Sequence, residues 1–293
     1  SSEEPHLVLN QNKNEYYVGG SGAIARHLNS FVKKIDLISP FGDEIFYKKL
    51  INKNFTKNIS KHFLKNDKYS NTIVKERFID QVSGYKLFGS YTLPLNNSLS
   101  VEKKILKKIE QLKNKSDLVI ITDYGHHFLS KKIATKIINN KTFVTVNAQV
   151  NSSTQGYNSV KNYIGANAII INEAELRQEI RDNVSDIKYL SKKYKIEKKI
   201  KHLIVTMGKN GAILVDNSLK IYFCPAFAKK TVDKVGSGDA MLSIMSLCLK
   251  LKLDPLLILF LGSLAASSSV ETLGNKKNIN FEDLDRSIEY MLK

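Results

Sequence analysis

Short apolar runs rich in β-branched residues alternate with longer amphipathic stretches along most of the chain. The runs have the length of buried strands, and the stretches between them repeat apolar residues at helical spacing. Such alternation is typical of βαβ units, in which a mostly parallel sheet carries helices on both faces. The pattern predicts strands at residues 35–39, 117–122, 142–147, 168–171 and 202–206, and helices at 101–113, 131–139 and 185–195.

The two ends of the chain have different patterns. Near the N-terminus, short strand-like segments are separated by polar turns, which predicts a small antiparallel sheet attached to the main layer as a lid. After Gly236 the pattern becomes helical, and the lysine-rich stretches 48–68 and 103–115 are predicted to be solvated helix faces. We find no repeat or low-complexity linker, so residues 1–293 are predicted to form one α/β domain. The lid segments are 6–10, 16–18, 72–80 and 85–91, and the late helices are 239–250, 255–270 and 281–292.

The chain carries a formal net charge of +17, and a strongly basic balance can indicate nucleic acid, a membrane surface or anionic substrates. Its 40 lysines stand against only five arginines, whereas nucleic-acid readers depend on the bidentate contacts of arginine. Lysine, asparagine and isoleucine share A/T-rich codons. We therefore interpret the charge as a base-composition bias and expect no nucleic-acid partner.

Two further features limit the class of protein. Two cysteines exclude a disulfide framework and a cysteine-rich metal site, and they fit a reducing compartment such as the cytoplasm. The most apolar region, residues 253–270, is interrupted by Asp254, Pro255 and Gly262. We therefore expect no membrane partner.

The most informative stretch runs from Asp233 to Asp239 and reads D-K-V-G-S-G-D, directly before an apolar helix. A glycine-rich turn that enters a helix leaves backbone N–H groups unpaired at the positive end of the helix dipole, which favours an anion. A carboxylate in the first turn can accept a proton from an attacking hydroxyl. The alternative interpretation is a capping aspartate behind an ordinary turn.

This stretch resembles the C-terminal signature of ribokinase/PfkB-type carbohydrate kinases, and three other motifs follow the family's order. They are G-G-S-G-A-I-A at 19–25, N-E-A-E at 172–175 and T-M-G-K-N-G at 206–211. Two further segments, S-E-E-P at 2–5 and T-D-Y-G at 122–125, are most similar to the heptose 7-phosphate kinase type. His126 and His127 replace the lysine and glycine expected there. The resemblance covers nearly the whole chain.

The resemblance implies a ribokinase-like fold and phosphorylation of a sugar or sugar-phosphate hydroxyl with ATP and Mg²⁺. It makes Asp239 the general base and the amides of Gly236, Ser237 and Gly238 the anion hole. It also implies three other groups of residues: Thr206, Gly208, Gly211 and Ser263 for ATP; Gly19, Gly20, Asp123 and Asn147 for the sugar; and Asn172 with Glu175 for Mg²⁺, acting through water.

Simpler interpretations stand beside several of these roles. Asn172 and Glu175 have the spacing of a capping box. Residues 206–215 have the pattern of a hairpin turn and its following strand. Asp123 fits a turn before Gly125, and Ser263 could be a small packing residue.

The presumed sugar pocket departs from the family pattern. Ala23 and Ile24 stand where the family usually carries a sugar-binding asparagine, and Asn147 begins a segment that is commonly D-P-x. These departures motivate a second hypothesis, in which the domain is a catalytically impaired binding or regulatory module.

The resemblance also bears on ions and partners. Asp233 and the turn 269–275 resemble the region in which many relatives hold a monovalent cation, but Val235 replaces a frequent threonine, so cation activation is doubtful. Several relatives dimerise through the lid, so a homodimer is expected.

A first core strand that carries a substrate-binding aspartate normally precedes the double glycine in this family. Here the double glycine is already at Gly19 and Gly20, so we expect that strand to lie upstream of residue 1. Some relatives are fused to a nucleotidyltransferase, so a fused domain outside this chain is also expected.

Overall fold

The computed structural model describes residues 8, 10–65, 71–93, 99–112, 114–139, 142–149, 160–228 and 230–292. The strands are β1 (Ile35–Pro40), β2 (Ile59–Leu64), β3 (Val74–Ile79), β4 (Lys86–Thr92), β5 (Leu118–Asp123), β6 (Phe143–Ala148), β7 (Ala168–Asn172), β8 (His202–Thr206), β9 (Ala212–Val215) and β10 (Ile221–Cys224). The helices are α1 (Gly20–Leu28), α2 (Ile45–Asn54), α3 (Leu99–Leu112), α4 (Lys131–Ile138), α5 (Glu173–Ile180), α6 (Ile187–Glu197), α7 (Ser237–Lys250), α8 (Pro255–Val270) and α9 (Phe281–Leu292).

The main sheet has six strands in the order β10-β9-β8-β7-β6-β5. Strands β5 to β8 are parallel, whereas β9 and β10 extend the sheet in antiparallel fashion. The register pairs Asp123 with Ala148 and Asn172 with Thr206, at the last residue of each strand. Because parallel strands end at one edge of their sheet, the fold collects these polar groups along one edge.

Helices cover both faces of this sheet, as the α/β pattern predicts. One apolar cluster joins the sheet to α3, α4, α5 and α6, and a second joins it to α1, α7 and α8. Helix α7 lies in the middle of the second cluster, where Ala240, Ile244 and Met245 are almost completely buried. The N-terminal turn of α7 is therefore anchored by a rigid core.

Strands β1 and β2 form a separate parallel pair, which has no backbone pairing to the six-stranded sheet among the strands that the structure describes. Strands β1 and β5 line one continuous cleft, and each has a single paired neighbour within the described chain. Apolar side chains such as Leu37 and Ile121 flank this opening. An open edge of this kind is a template for one more strand.

The lid is found at the predicted place as the antiparallel pair β3 and β4, with the rings of Phe78 and Phe88 stacked at 4.3 Å between their centroids. The predicted strand at 16–18 is wrong. Tyr16 and Val18 lie in irregular backbone without a strand neighbour, held by side chains instead: the Tyr16 ring packs on Phe46 at 4.7 Å, and Val18 is buried against α1. Of the predicted segment 6–10, only residues 8 and 10 are described.

The interpretation of residues 48–68 as one solvated helix face is also wrong. Helix α2 ends at Asn54, and the same stretch then enters strand β2. Pairing of Ile59 with Ile35 of β1, together with burial of Ile59, outweighs the helical pattern of the surrounding lysines. Local propensity yields here to tertiary pairing.

None of the helices in the described part of the chain combines the length and the apolar character needed to cross a bilayer.

The turn between β8 and β9 generates a stability prediction. Gly211 has φ 88° and ψ −146°, and a Cβ there would lie 2.1 Å from the carbonyl oxygen of Cys224. Gly84, at the tip of the lid, also has a positive φ of 73°, but open space surrounds its Cβ position. We expect Gly211→Ala to lower the free energy of unfolding by about 1–3 kcal/mol more than Gly84→Ala, because only Gly211→Ala adds a backbone collision to the strained φ. Chemical denaturation of both variants measures this difference, and equal losses would contradict it.

Candidate active site

Helix α7 begins in a glycine-rich turn whose geometry is compatible with an anion. Gly236, its N-cap residue, has φ 88°, and its carbonyl accepts the first helical hydrogen bond, from Ala240 N at 2.9 Å. The preceding amides of the helix have no helical acceptor, so the positive end of the dipole opens here. A Cβ on Gly236 would lie 1.9 Å from Asn275 Oδ1, whereas one on Gly238 would meet only open space. The turn therefore needs glycine at Gly236 and leaves room for an anion beside Gly238.

Asp239 lies in the first turn of α7 and is half-buried. Its Oδ1 accepts a hydrogen bond of 3.1 Å from the Tyr124 hydroxyl. Burial raises the pKa of Asp239 to about 6, although the Tyr124 hydrogen bond and the nearby Lys75 ammonium favour the ionised form. A carboxylate with a pKa close to the working pH is suited to accepting a proton.

A cluster around Tyr124 surrounds Asp239 on the lid side of the cleft. Lys75 of β3 reaches over the ring of Tyr124, with Nζ 5.9 Å from its centroid, and His126 stacks on the same ring. Burial lowers the pKa of Lys75 and, with help from the Lys75 charge, lowers the pKa of His126 to about 4. His126 is therefore neutral at physiological pH. Sequence reasoning missed Lys75, because nothing distinguishes it from the other lysines.

Asp123 and Asn147, the two polar side chains predicted to bind the sugar, both form hydrogen bonds within the protein. Asp123 accepts Gly125 N–H at 3.0 Å and the Tyr163 hydroxyl at 2.7 Å, and burial raises its pKa. The turn interpretation of Asp123 is thus observed, although the residue also lines the cleft. Asn147 donates its side-chain amide to the carbonyl of Ile170 at 2.8 Å.

The double glycine forms the opposite wall of the cleft. Gly19 is the N-cap of α1, and Gly20 adopts a φ of 56°, with its Cβ position 3.2 Å from the Tyr124 ring. Ala23 and Ile24, at the positions of the expected asparagine, are buried in the core. They offer no polar group to a sugar.

Asn172 and Glu175 form a complete capping box at the start of α5. Asn172 Oδ1 accepts Glu175 N–H at 2.8 Å, and Glu175 Oε2 accepts Asn172 N–H at 3.0 Å. Among the described residues, no group of three or more His, Cys, Asp or Glu side chains is placed to hold a metal ion. Two oxygen-bearing side chains still fit Mg²⁺, which keeps several waters and binds mainly through phosphates.

Of the residues predicted for ATP, Thr206 ends β8 at the same sheet edge, and Gly208 and Gly211 lie in the turn that follows it. Thr206 pairs with Ala212 across the β8–β9 hairpin, and Gly208 in the turn has φ 57° with open space around it. Ser263 is buried in α8 beside the Cys224 thiol. The hairpin and packing interpretations are thus observed, and the open turn at Gly208 is compatible with a phosphate.

The structure thus brings Gly19, Gly20, Asp123, Gly236, Gly238 and Asp239 to one cleft. Its cavity measures about 2270 Å³, larger than a typical ligand pocket, because the opening between β1 and β5 continues into it. Ser237 belongs to the same turn. Asn147, Asn172, Thr206, Gly208, Gly211 and Ser263 are not among the residues that line this cleft.

Comparison with known proteins decides the family. The family profile described as "pfkB family carbohydrate kinase" matches residues 1–280. This chain belongs to that family.

Individual relatives agree with the assignment. The chain is 26% identical over 298 residues to the bifunctional protein HldE of Campylobacter curvus, covering 97% of this chain and 60% of that protein. It is 27% identical over 253 residues to HldE of Helicobacter pylori strain J99, covering 85% and 53%. The pfkB domain thus spans little more than half the length of these curated relatives.

Solved structures show the same fold. Phosphofructokinase-2 of Escherichia coli in complex with potassium superposes with a TM-score of 0.78 at 14% identity, covering 99% of this chain and 93% of that one. Ribokinase of Thermotoga maritima superposes with a TM-score of 0.70 at 17% identity, covering 92% and 85%. The predicted ribokinase-like fold and the predicted enzyme class, a carbohydrate kinase, are confirmed.

The raised pKa of Asp239 predicts that this carboxylate costs stability. Its pKa in the folded state, about 6, lies above its ordinary value of 3.8, so the folded state binds the proton more tightly. Stability is therefore lost as the pH rises through this interval. A shift of about two pKa units corresponds to about 3 kcal/mol, and solvent screening of the half-exposed carboxylate reduces this value. We therefore expect Asp239→Asn to raise the free energy of unfolding at pH 8 by about 2 kcal/mol.

The gain should largely disappear by pH 4, because the Asp239 carboxyl is then protonated in the folded state and, close to its ordinary pKa of 3.8, about half protonated in the unfolded state. Denaturation of the variant at pH 8 and at pH 4 measures both values. The matched control is Asp285→Asn on the exposed face of α9. A gain of equal size at both pH values would contradict the prediction.

Proposed function

We propose that this domain transfers the γ-phosphoryl group of ATP to a hydroxyl of a sugar or sugar phosphate. One observation supports this most directly: an anion-binding helix start and a carboxylate with a pKa near 6 share the first turn of α7. A phosphoryl group held at the amides of Gly236, Ser237 and Gly238 would lie next to Asp239. Transfer of this kind depends mainly on positioning and on stabilisation of charge.

The chemistry balances with one base. The acceptor hydroxyl oxygen forms a bond to the γ-phosphorus, the bond from that phosphorus to the β,γ-bridging oxygen breaks, and ADP leaves. The hydroxyl proton passes to Asp239. The Tyr124 hydroxyl donates to Oδ1 of the carboxylate, and Oδ2 accepts no hydrogen bond from the residues that the structure describes. Oδ2 is therefore the atom that we assign to proton acceptance.

A divalent metal, which we propose is Mg²⁺, would neutralise phosphate charge. Asn172 and Glu175 would hold it through water, because their capping box keeps both side chains at the carboxyl end of β7. Thr206, Gly208 and Gly211 would border the nucleotide phosphates, and Ser263 the adenine side.

The acceptor would lie between the double glycine and Asp123, under the lid. Lys75 faces Asp239 across this space, so an anionic acceptor such as a sugar phosphate is favoured electrostatically. The resemblance of residues 122–125 to heptose 7-phosphate kinases supports the same class. His126, neutral and stacked on Tyr124, replaces their lysine, so the identity of the sugar does not follow from that group.

A second candidate is a catalytically impaired ligand-binding or regulatory module. Ala23 and Ile24, at the positions of the one expected asparagine, are buried, and the Asn147 amide is bound to the neighbouring strand, so two expected sugar contacts are missing or engaged. A kinase screen with sugars, sugar phosphates and nucleosides separates the two. Failure to bind ATP and to phosphorylate any acceptor would favour the module.

Three further expectations stay predictions. The opening beside β5 would be completed by one more core strand. A nucleotidyltransferase would be fused to the domain, as the length of its relatives suggests. The protein would work in the cytoplasm. The two free, buried cysteines, Cys224 and Cys248, are compatible with a reducing compartment.

Asp239→Asn tests the proposed reaction. The variant should lower kcat by about 10²–10⁴-fold, because the positioned base is lost while the anion hole remains. ATP affinity should change little. In the native domain, kcat/KM should fall as the pH drops through about 6, since protonated Asp239 cannot accept the hydroxyl proton.

Coupled ADP-release assays between pH 5 and pH 8 measure these quantities, with Asp285→Asn as the control. Full activity in Asp239→Asn would refute the assignment of the base.

The lid generates a prediction about assembly. The lid exposes apolar side chains that do not line the cleft, including Tyr85 and Phe88, and every residue of β4 is exposed. We propose that two lids meet in a homodimer. Sedimentation should show a dimer that Tyr85→Glu disrupts, whereas Val184→Glu at an exposed site outside the lid should not. A monomeric native protein at working concentration would exclude the dimer.

A further inference from the structure

A buried carboxylate next to the anion hole is neutralised by a lysine from the lid. Asp233 is only 6% exposed, and Lys86 Nζ of β4 lies 2.6 Å from its Oδ1. A buried carboxylate is costly unless it is paired and hydrogen-bonded. Burial alone would raise the pKa of Asp233, but the Lys86 ion pair and two backbone N–H groups lower it. The carboxylate is therefore ionised with its charge balanced by the lid.

Asp233 also connects the two segments that shape the anion hole. Its Oδ1 accepts Val235 N–H at 3.1 Å, and its Oδ2 accepts Gly274 N–H at 3.0 Å. Val235 directly precedes Gly236, and Gly274 directly precedes Asn275, whose Oδ1 presses against Gly236. A displacement of the Asp233 carboxylate would thus break or shift its hydrogen bonds to the segments on both sides of the Gly236 turn.

A second internal cation binds the same turn. Arg26 of α1 donates from Nη1 to the carbonyl oxygen of Asn275 at 3.0 Å. The carbonyl of Val270, at the end of α8, accepts N–H groups from Val232 and Asp233. The Asp233 carboxylate and the carbonyl oxygens of Val270 and Asn275 are thus already engaged by ammonium, guanidinium or amide donors. The region resembling a cation site does not fit a free cation in this arrangement.

The Lys86 contact links distant parts of the chain, since 147 residues separate its partners. Every residue of strand β4 is exposed to solvent. The Lys86 side chain is 42% exposed, although its ammonium contacts the buried Asp233. Moving the lid away from α7 would withdraw this charge and leave the buried carboxylate unpaired.

We propose that Lys86 is a positioning residue whose ammonium takes the place of a monovalent cation at Asp233, so that the closed lid itself orders the anion hole. The consequence for function rests on the proposed kinase reaction, whereas the structural coupling does not. With Lys86 in place, the domain needs no added potassium, and lid closure and phosphate binding support each other.

Hydrogen–deuterium exchange tests the coupling without any substrate. Lys86→Met removes the charge and keeps the length of the chain, Lys86→Arg retains the charge, and Lys192→Met, on the exposed side of α6, is the control for loss of a surface lysine. Peptides that contain the Val235 and Gly274 amides should exchange about tenfold faster in Lys86→Met and at the native rate in the other two variants. Addition of about 100 mM potassium, against tetramethylammonium at equal ionic strength, should restore protection in Lys86→Met and leave the native protein unchanged.

Three results would overturn the proposal. The first is an unchanged exchange rate in Lys86→Met, and the second is failure of potassium to restore protection in that variant. The third is amide protection in the native protein that depends on potassium. Kinase assays run in parallel separate this inference from the proposed function. If the native protein phosphorylates no acceptor, the kinase reaction fails while the exchange data still decide the role of Lys86. If it is active, Lys86→Met should raise the KM for ATP and become potassium-dependent, whereas Lys86→Arg should not.

Discussion

The left-handed turn at Gly236 is the constraint on which the site depends. It stands at the start of a helix that is buried on nearly every side, so the direction of the free amides is set by the core and not by the loop. Asn275 closes the side of the turn on which any Cβ would project. Because Asp239 follows within the same helical turn, the proposed anion hole and the proposed base cannot move independently. Rigid placement of this kind is what phosphoryl transfer requires.

Electrostatics around this turn are distributed over elements that are far apart in the chain. Tyr124, at the end of β5, and Lys75, on the lid, favour the anion of Asp239, whereas burial opposes it. Lys86, also on the lid, balances Asp233. Both lid lysines therefore place positive charge beside the two signature carboxylates, so the lid contributes to the electrostatics of the site as well as covering it.

Membership in the pfkB family and the observed departures from its pattern fit together. The parts that we propose bind phosphate and metal follow the family pattern in this chain, namely the Gly236–Gly238 turn, the capping box of α5 and the open turn at Gly208. The parts presumed to recognise the acceptor are altered, with Ala23 and Ile24 buried and the Asn147 amide engaged. This contrast supports a retained phosphoryl-transfer chemistry with its own acceptor.

The sequence by itself determined the strands β1 and β5 to β8, most helices, and the glycine-rich turn before α7, because apolar periodicity and glycine placement are local properties of the chain. It could not predict that β2 forms inside a lysine-rich stretch or that residues 16–18 form no strand. Both outcomes depend on whether a neighbouring strand is available for backbone pairing. It also could not single out Lys75 and Lys86 among 40 lysines. Only the tertiary structure decided these, because proximity to Tyr124 and Asp233 arises from the packing of the lid over α7 and leaves no trace in the local pattern.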